Sequence, residues 1–109
     1  MTDEPSEPKT ILLRDLVARA NAGDTQAMVR VGIAYRDADG VGSDLVQAAR
    51  WFFLALAHGN GDGIHELRLC ARRMTDQELL SADELAGGNG SWARAAIATW
   101  HSENHSKRN

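Results

Sequence analysis

The chain has 109 residues with 17 alanines, and its two prolines, Pro5 and Pro8, leave residues 9–109 without any. That length fits one domain, and an alanine-rich, proline-free body with few Val, Ile, Thr and aromatic residues excludes a β-sandwich or barrel. The 12 basic and 15 acidic residues sum to a net charge of −3, which excludes the broad basic footprint of a nucleic-acid binder.

Residues 1–9 (MTDEPSEPK) are acidic and proline-containing and read as a disordered lead. From Thr10 the spacing of Leu12, Leu13, Leu16, Val17 and Ala20 lines one face of a helix. The segment NAGD at 21–24 ends it, with Gly23 as stop and Asp24 as the cap of a second helix over 24–37. The inward stripe there is Ala27, Met28, Val31 and Tyr35, with Gly32 beside it at a point of close helix approach. A turn over 38–43 comes next, and Asp44 reads as the N-cap of a third helix, with Gln47 completing a loose capping box. Leu45, Ala48, Trp51, Phe52, Ala55 and Leu56 form its wide apolar face, which ends at His58, Gly59 and Asn60.

A fourth helix over 62–72 carries Ile64, Leu67, Leu69 and Ala71 as its apolar positions. Thr75 and Glu78 make a capping box that starts a fifth, with Leu79, Ala82, Leu85 and Ala86 inward. Glycines at 87, 88 and 90 break the chain, and Ser91 is read as the cap of a last helix bearing Trp92, Ala95, Ala96 and Trp100. The domain so predicted spans 10–101, and the polar residues 102–109 read as a frayed tail. Six helices with short loops make an all-α fold.

The single cysteine, Cys70, leaves no internal disulfide and no CxxC zinc spacing, so a buried free thiol is expected. No basic n-region with an apolar stretch opens the chain, and the longest apolar run, 51–57, is far too short for a bilayer. A cytoplasmic location and no membrane contact are the expectations. His58 and His65 are separated by a glycine-containing break, and His101, Glu103 and His105 lie in the polar tail, so neither group is read as a metal site. Asp37 and Asp39 flank the glycine turn without the later bidentate Glu of a calcium loop. No GxSxG, HExxH, P-loop or GxGxxG occurs. Neither an enzyme nor a cofactor is expected.

A shift of 36 residues sets Gly23-Asp24 on Gly59-Asn60, Ala27 on Gly63 and Val31 on Leu67, then fails, so one full repeat and one degenerate copy are present. Residues 20–60 resemble a SEL-1-like repeat, a helical-hairpin relative of the tetratricopeptide repeat. Its slots are filled by Ala20, Gly23-Asp24, Ala27, Val31-Gly32, Tyr35, Gly40-Val41, Asp44, Ala48, Trp51-Phe52, Ala55 and Gly59-Asn60. Val31 stands where the family has leucine, and Ala38 where it has the first loop glycine. Residues 73–86 are similar to the stretch that comes after the last such repeat in many bacterial proteins, although Gln77 sits one position early.

The resemblance implies a short right-handed α-solenoid and a non-enzymatic adaptor that binds a protein or peptide in a concave groove. Some secreted relatives carry disulfides, and the lone Cys70 excludes that branch. In stacked hairpins the first helix of each pair lines the groove. The expected lining is Gln26, Val29, Ile33 and Arg36 on one helix and Asp62, His65, Leu69 and Arg72 on the next. Gln26, Val29, Arg36, His65 and Arg72 are the partner-binding candidates, the arginines foremost because Arg is enriched at interface hot spots. Trp92 and Trp100, eight apart, share one face of the last helix and either cap the stack or mediate self-association. Other readings are a small inhibitor or immunity-type protein that blocks one effector, a helix-turn-helix regulator, and a homo-oligomeric structural element.

Overall fold

A computed structural model describes residues 9–37 and 44–108, with side chains from 13–37 and 44–99. Among the described residues there are six helices and no strand: α1 Lys9–Asn21, α2 Thr25–Asp37, α3 Leu45–Ala57, α4 Asp62–Ala71, α5 Asp76–Leu85 and α6 Ser91–Arg108. The predicted turn over 38–43, with the family slots Gly40 and Val41, lies outside the described residues, as does the lead up to residue 8.

Local chemistry explains where these helices begin and stop. The helices α1, α3 and α5 all end on a glycine at positive φ, namely Gly23, Gly59 and Gly87. The next residue's N–H then reaches back five residues: Asp24 to the Arg19 carbonyl, Asn60 to Ala55 and Gly88 to Asp83. This Schellman closure satisfies carbonyls that a helix end would otherwise leave bare. Asp24 and Asn60 also open the next helix. The Ala27 N–H donates to Asp24 Oδ1 at 3.1 Å, and the Asp62 N–H donates to Asn60 Oδ1 at 2.9 Å. Asp44 caps α3 through the Gln47 N–H at 3.0 Å, and Thr75 and Glu78 form the reciprocal capping box of α5.

Helix α3 is the axis of the molecule. Ala48, Ala49, Trp51, Phe52, Phe53 and Ala55 are all buried, so apolar side chains point to every side, and α2, α4 and α5 pack around them. Phe52 spaces two of these neighbours. A Cβ on Gly32 of α2 would overlap its ring, and a Cβ on Gly63 of α4 would sit 2.7 Å from its carbonyl oxygen. Both helices therefore approach α3 at the minimum distance, which only glycine allows. Helix α1 adds Leu13, Leu16, Val17 and Ala20 from the outer side of α2.

Several sequence expectations are corrected. Helix α4 buries Gly63, Leu67 and Cys70, a stripe at helical spacing, and this turns Ile64 and Leu69 outward. Leu85 of α5 is likewise exposed, and the buried position beside Ala82 is taken by Asp83. Helix α1 begins at Lys9, one residue before the predicted start. Helix α6 continues to Arg108 through residues read as a frayed tail; no Pro or Gly interrupts them.

Ser91 is not the cap of α6 but its first residue. Gly90, at φ +88°, turns the chain into the helix, and Asn89 Oδ1 accepts the Ser91 N–H at 3.0 Å, as Asn60 does for Asp62 at the start of α4. The free Ala93 N–H is satisfied instead from another helix: it donates to Asp83 Oδ2 at 2.8 Å. Asp83 is 1% exposed, and its second oxygen, Oδ1, has no hydrogen-bond partner. A Cβ at residue 88 would strike that oxygen, which explains a glycine there.

Candidate functional site

The Asp83 cap holds the start of α6 on α5, and among the described residues α6 packs more closely on α5 than on α4. Between α4 and α6 an open groove of about 280 Å³ remains. Its floor is Leu56 of α3 and Leu67 of α4. One wall carries Ile64, Arg68 and Arg72; the other carries Trp92, Ala95, Ala96 and Thr99. The groove exists because α6 presents small side chains where a close-packed helix would present leucines. Among the described α6 residues in the lining only Trp92 is large, and it is 45% exposed; on the α4 wall Ile64 is 46% exposed. Apolar side chains left this open on opposing walls mark an unfilled contact surface.

The electrostatics of the two faces of α4 differ sharply. On one face Arg36 of α2 pairs with Glu66, and its guanidinium also grips Asp37 through Nε at 2.9 Å and Nη2 at 3.3 Å. The bond with Asp37 and that with Glu66 hold Arg36 more firmly in its charged form, against the opposing effect of burial. The Arg36 guanidinium in turn holds the Asp37 carboxyl below the usual range. On the groove face, Arg68 and Arg72 stand one helical turn apart, and neither has an ion-pair partner among the described residues. Among the described residues no acidic side chain lines the groove.

The structure separates the five predicted binding residues. Only Arg72 lines the groove. Val29 cannot bind a partner, because it is 5% exposed and belongs to the core. The stripe of α2 is wider than the sequence pattern suggested, since α2 is covered by α1 on one side and α3 on the other. Arg36 is engaged within the fold, and Gln26 and His65 are exposed but outside the groove. The side chain of Trp100 lies outside the described residues, so the Trp92–Trp100 pairing is not described.

Sequence reasoning missed Ile64 and Arg68. The available signal was the surplus of apolar residues on α4. Ile64, Leu67, Leu69, Cys70 and Ala71 are too many for one stripe of a short helix, so some had to face elsewhere.

Cys70 is buried at the α4 interface, and that burial pushes its thiol up to about 11, so it is no nucleophile at neutral pH. His58 is tied to the end of α3 through Nδ1 and the Leu54 carbonyl at 2.9 Å. Among the described residues no three His, Cys, Asp or Glu side chains gather to hold a metal. No helix among them is long and apolar enough to cross a membrane.

No protein-family model, curated protein or solved structure matches this chain. The functional reading therefore rests on the groove and its chemistry.

Proposed function

We propose that this chain is a non-enzymatic protein-binding module of SEL-1-like type, a short right-handed α-solenoid that holds a peptide or helix of a partner in the α4–α6 groove. The observation that carries the binding reading is the pair Ile64 and Trp92, half-open on facing walls above an apolar floor. Shallow apolar grooves between helices suit an amphipathic helix with anchors at helical spacing. Arg72, next to this surface, adds a residue type common at binding hot spots.

Support for the repeat reading comes from what its slots do. Gly32 lets α2 meet Phe52; Ala27, Ala48 and Ala55 are buried; Asp24 and Asp44 cap helices. Asn60 Nδ2 donates to Thr25 Oγ1 at 3.2 Å, tying the end of the α2–α3 hairpin to its beginning. Helices two apart in sequence also touch, α2 with α4 and α3 with α5, as they would in stacked hairpins. A cytoplasmic setting belongs to the same proposal, since the lone buried Cys70 needs no oxidising compartment.

Site-directed photo-crosslinking tests the binding reading in cells. A photoreactive phenylalanine at position 64 is expected to trap a partner, whereas the same group at exposed position 26 of α2 is expected to trap none. Trapping at 26 with none at 64 would move the binding surface to the α2 face and reject the groove.

A further inference from the structure

We propose that the segment bound in the α4–α6 groove is an acidic amphipathic helix, with carboxylates on Arg68 and Arg72 and an apolar side chain between Ile64 and Trp92. This rests on the reading of the groove as a binding site and specifies what enters it.

Charge complementarity carries the choice. Arg36 of α2, against the other face of α4, is paired with Asp37 and Glu66, whereas among the described residues Arg68 and Arg72 have neither an ion-pair partner nor an acidic neighbour in the groove lining. Two guanidiniums spaced i and i+4 present a pattern that carboxylates one turn apart on a second helix can match. Arginine favours this pairing because its planar fork takes a carboxylate in a two-bond geometry.

Dimensions and backbone chemistry favour a helix as the occupant. From Ile64 to Arg72 the α4 wall runs about 12 Å, or about two helical turns, at about 1.5 Å per residue. The α6 wall from Trp92 to Thr99 has a similar length. Both walls are helices with their backbone groups bonded internally, so the groove offers no strand edge for an extended peptide. The chain as a whole is negative at −3, so the attraction to an acidic helix is local to these two arginines. It therefore acts over about 8 Å at physiological salt and weakens as salt rises.

A helix-display library with randomised surface positions, panned on the whole chain, tests this. The double charge reversal Arg68→Glu with Arg72→Glu and the variant Trp92→Ala are panned in parallel after circular dichroism and melting confirm their fold. If Trp92→Ala melts early, Ile64→Ser probes the facing wall instead. The expected result is enrichment of Asp and Glu one turn from Leu, Ile or Phe, with a switch to Lys and Arg on the charge-reversed chain. The best enriched peptide should bind at least tenfold more weakly to the charge-reversed chain, and tenfold more weakly to Trp92→Ala.

Enriched helices that need Trp92 but show no acidic preference would overturn this proposal and leave the groove reading intact. Enrichment indifferent to both wall variants, or no enrichment at all, would overturn the groove reading as well. A dimer in light scattering that dissociates on Trp92→Ala would make a second copy the occupant and overturn the proposal of a foreign helix.

Discussion

Replacing Gly32 with alanine adds one methyl group at a place already filled by the Phe52 ring. Alanine is the better helix former by about 1 kcal/mol, yet overpacking a rigid core site typically costs about 1–3 kcal/mol. Phe52 is fully buried and cannot swing aside. Gly32→Ala is therefore expected to lower the urea midpoint, and pairing it with Phe52→Leu should return part of the loss. A midpoint raised by Gly32→Ala alone would show that helix propensity outweighs the contact.

Cys70 gives a second residue-scale test. Its folded value near 11 lies above the 9.0 of an unperturbed thiol. The unfolded chain thus ionises first as pH rises. The stability linked to this group is complete below about 9 and drains away between about 9 and about 11. At neutral pH an alkylating reagent should modify Cys70 only at the rate at which the fold opens. Fast labelling in the native state would contradict its burial.

Elements meet through a few polar contacts whose removal has distinct consequences. The Arg36–Glu66 pair ties α2 to α4 with both side chains mostly shielded from water. Arg36→Ala strands the Glu66 carboxylate and is expected to cost about 1–3 kcal/mol, whereas replacing both partners with apolar residues should cost less. A double-mutant cycle measures the difference. The same guanidinium depresses the Asp37 carboxyl, so this contribution is present above the ordinary carboxylate range. It disappears as acid carries the pH down through the lowered folded value.

The Asp83 carboxylate does the corresponding work between α5 and α6. Asp83→Ala removes the acceptor of the Ala93 N–H and is expected to cost about 1–2 kcal/mol, in the range of a lost helix cap. Hydrogen exchange at Ala93 should accelerate, while the α2–α3 amides remain protected. Equal acceleration throughout would mean that α6 does not open separately from the rest.

At the scale of the whole molecule, the core and the groove predict opposite responses. Val29→Ser should destabilise by about 1–3 kcal/mol, because it buries a hydroxyl without a partner, whereas Arg72→Glu should leave stability within about 0.5 kcal/mol. Chemical denaturation of the two variants side by side checks this division, which reverses the role sequence spacing assigned to Val29.

The helices were legible because their ends carry strong local signals. Gly23, Gly59 and Gly87 turn the chain, and Asp44 and Thr75 cap α3 and α5, without reference to distant residues. The central position of α3 was half legible. Its wide apolar face was evident, but the burial of Ala49 and Phe53 depends on α4 and α5 packing on sides that a single stripe does not reveal. The site was the least legible part. Whether Ile64 or Cys70 faces inward is decided by the approach of Gly63 to the Phe52 carbonyl, and the gap beside α6 is decided by Asp83 reaching across ten residues. Both are tertiary events with no local pattern.

The cross-helix cap has one more consequence. The α6 wall is held at its N-terminal end by a carboxylate from α5, and the loop between them turns on glycines at 87, 88 and 90. The separation of the walls is therefore governed by the Asp83 joint as much as by the residues that line them. Thermodynamic linkage then requires reciprocity: an occupant that fits the wall spacing set by the intact joint tightens the joint, and loosening the joint weakens the occupant by the same factor. Asp83→Ala should thus reduce affinity in the groove without touching any bound segment, and saturating ligand should slow exchange at Ala93.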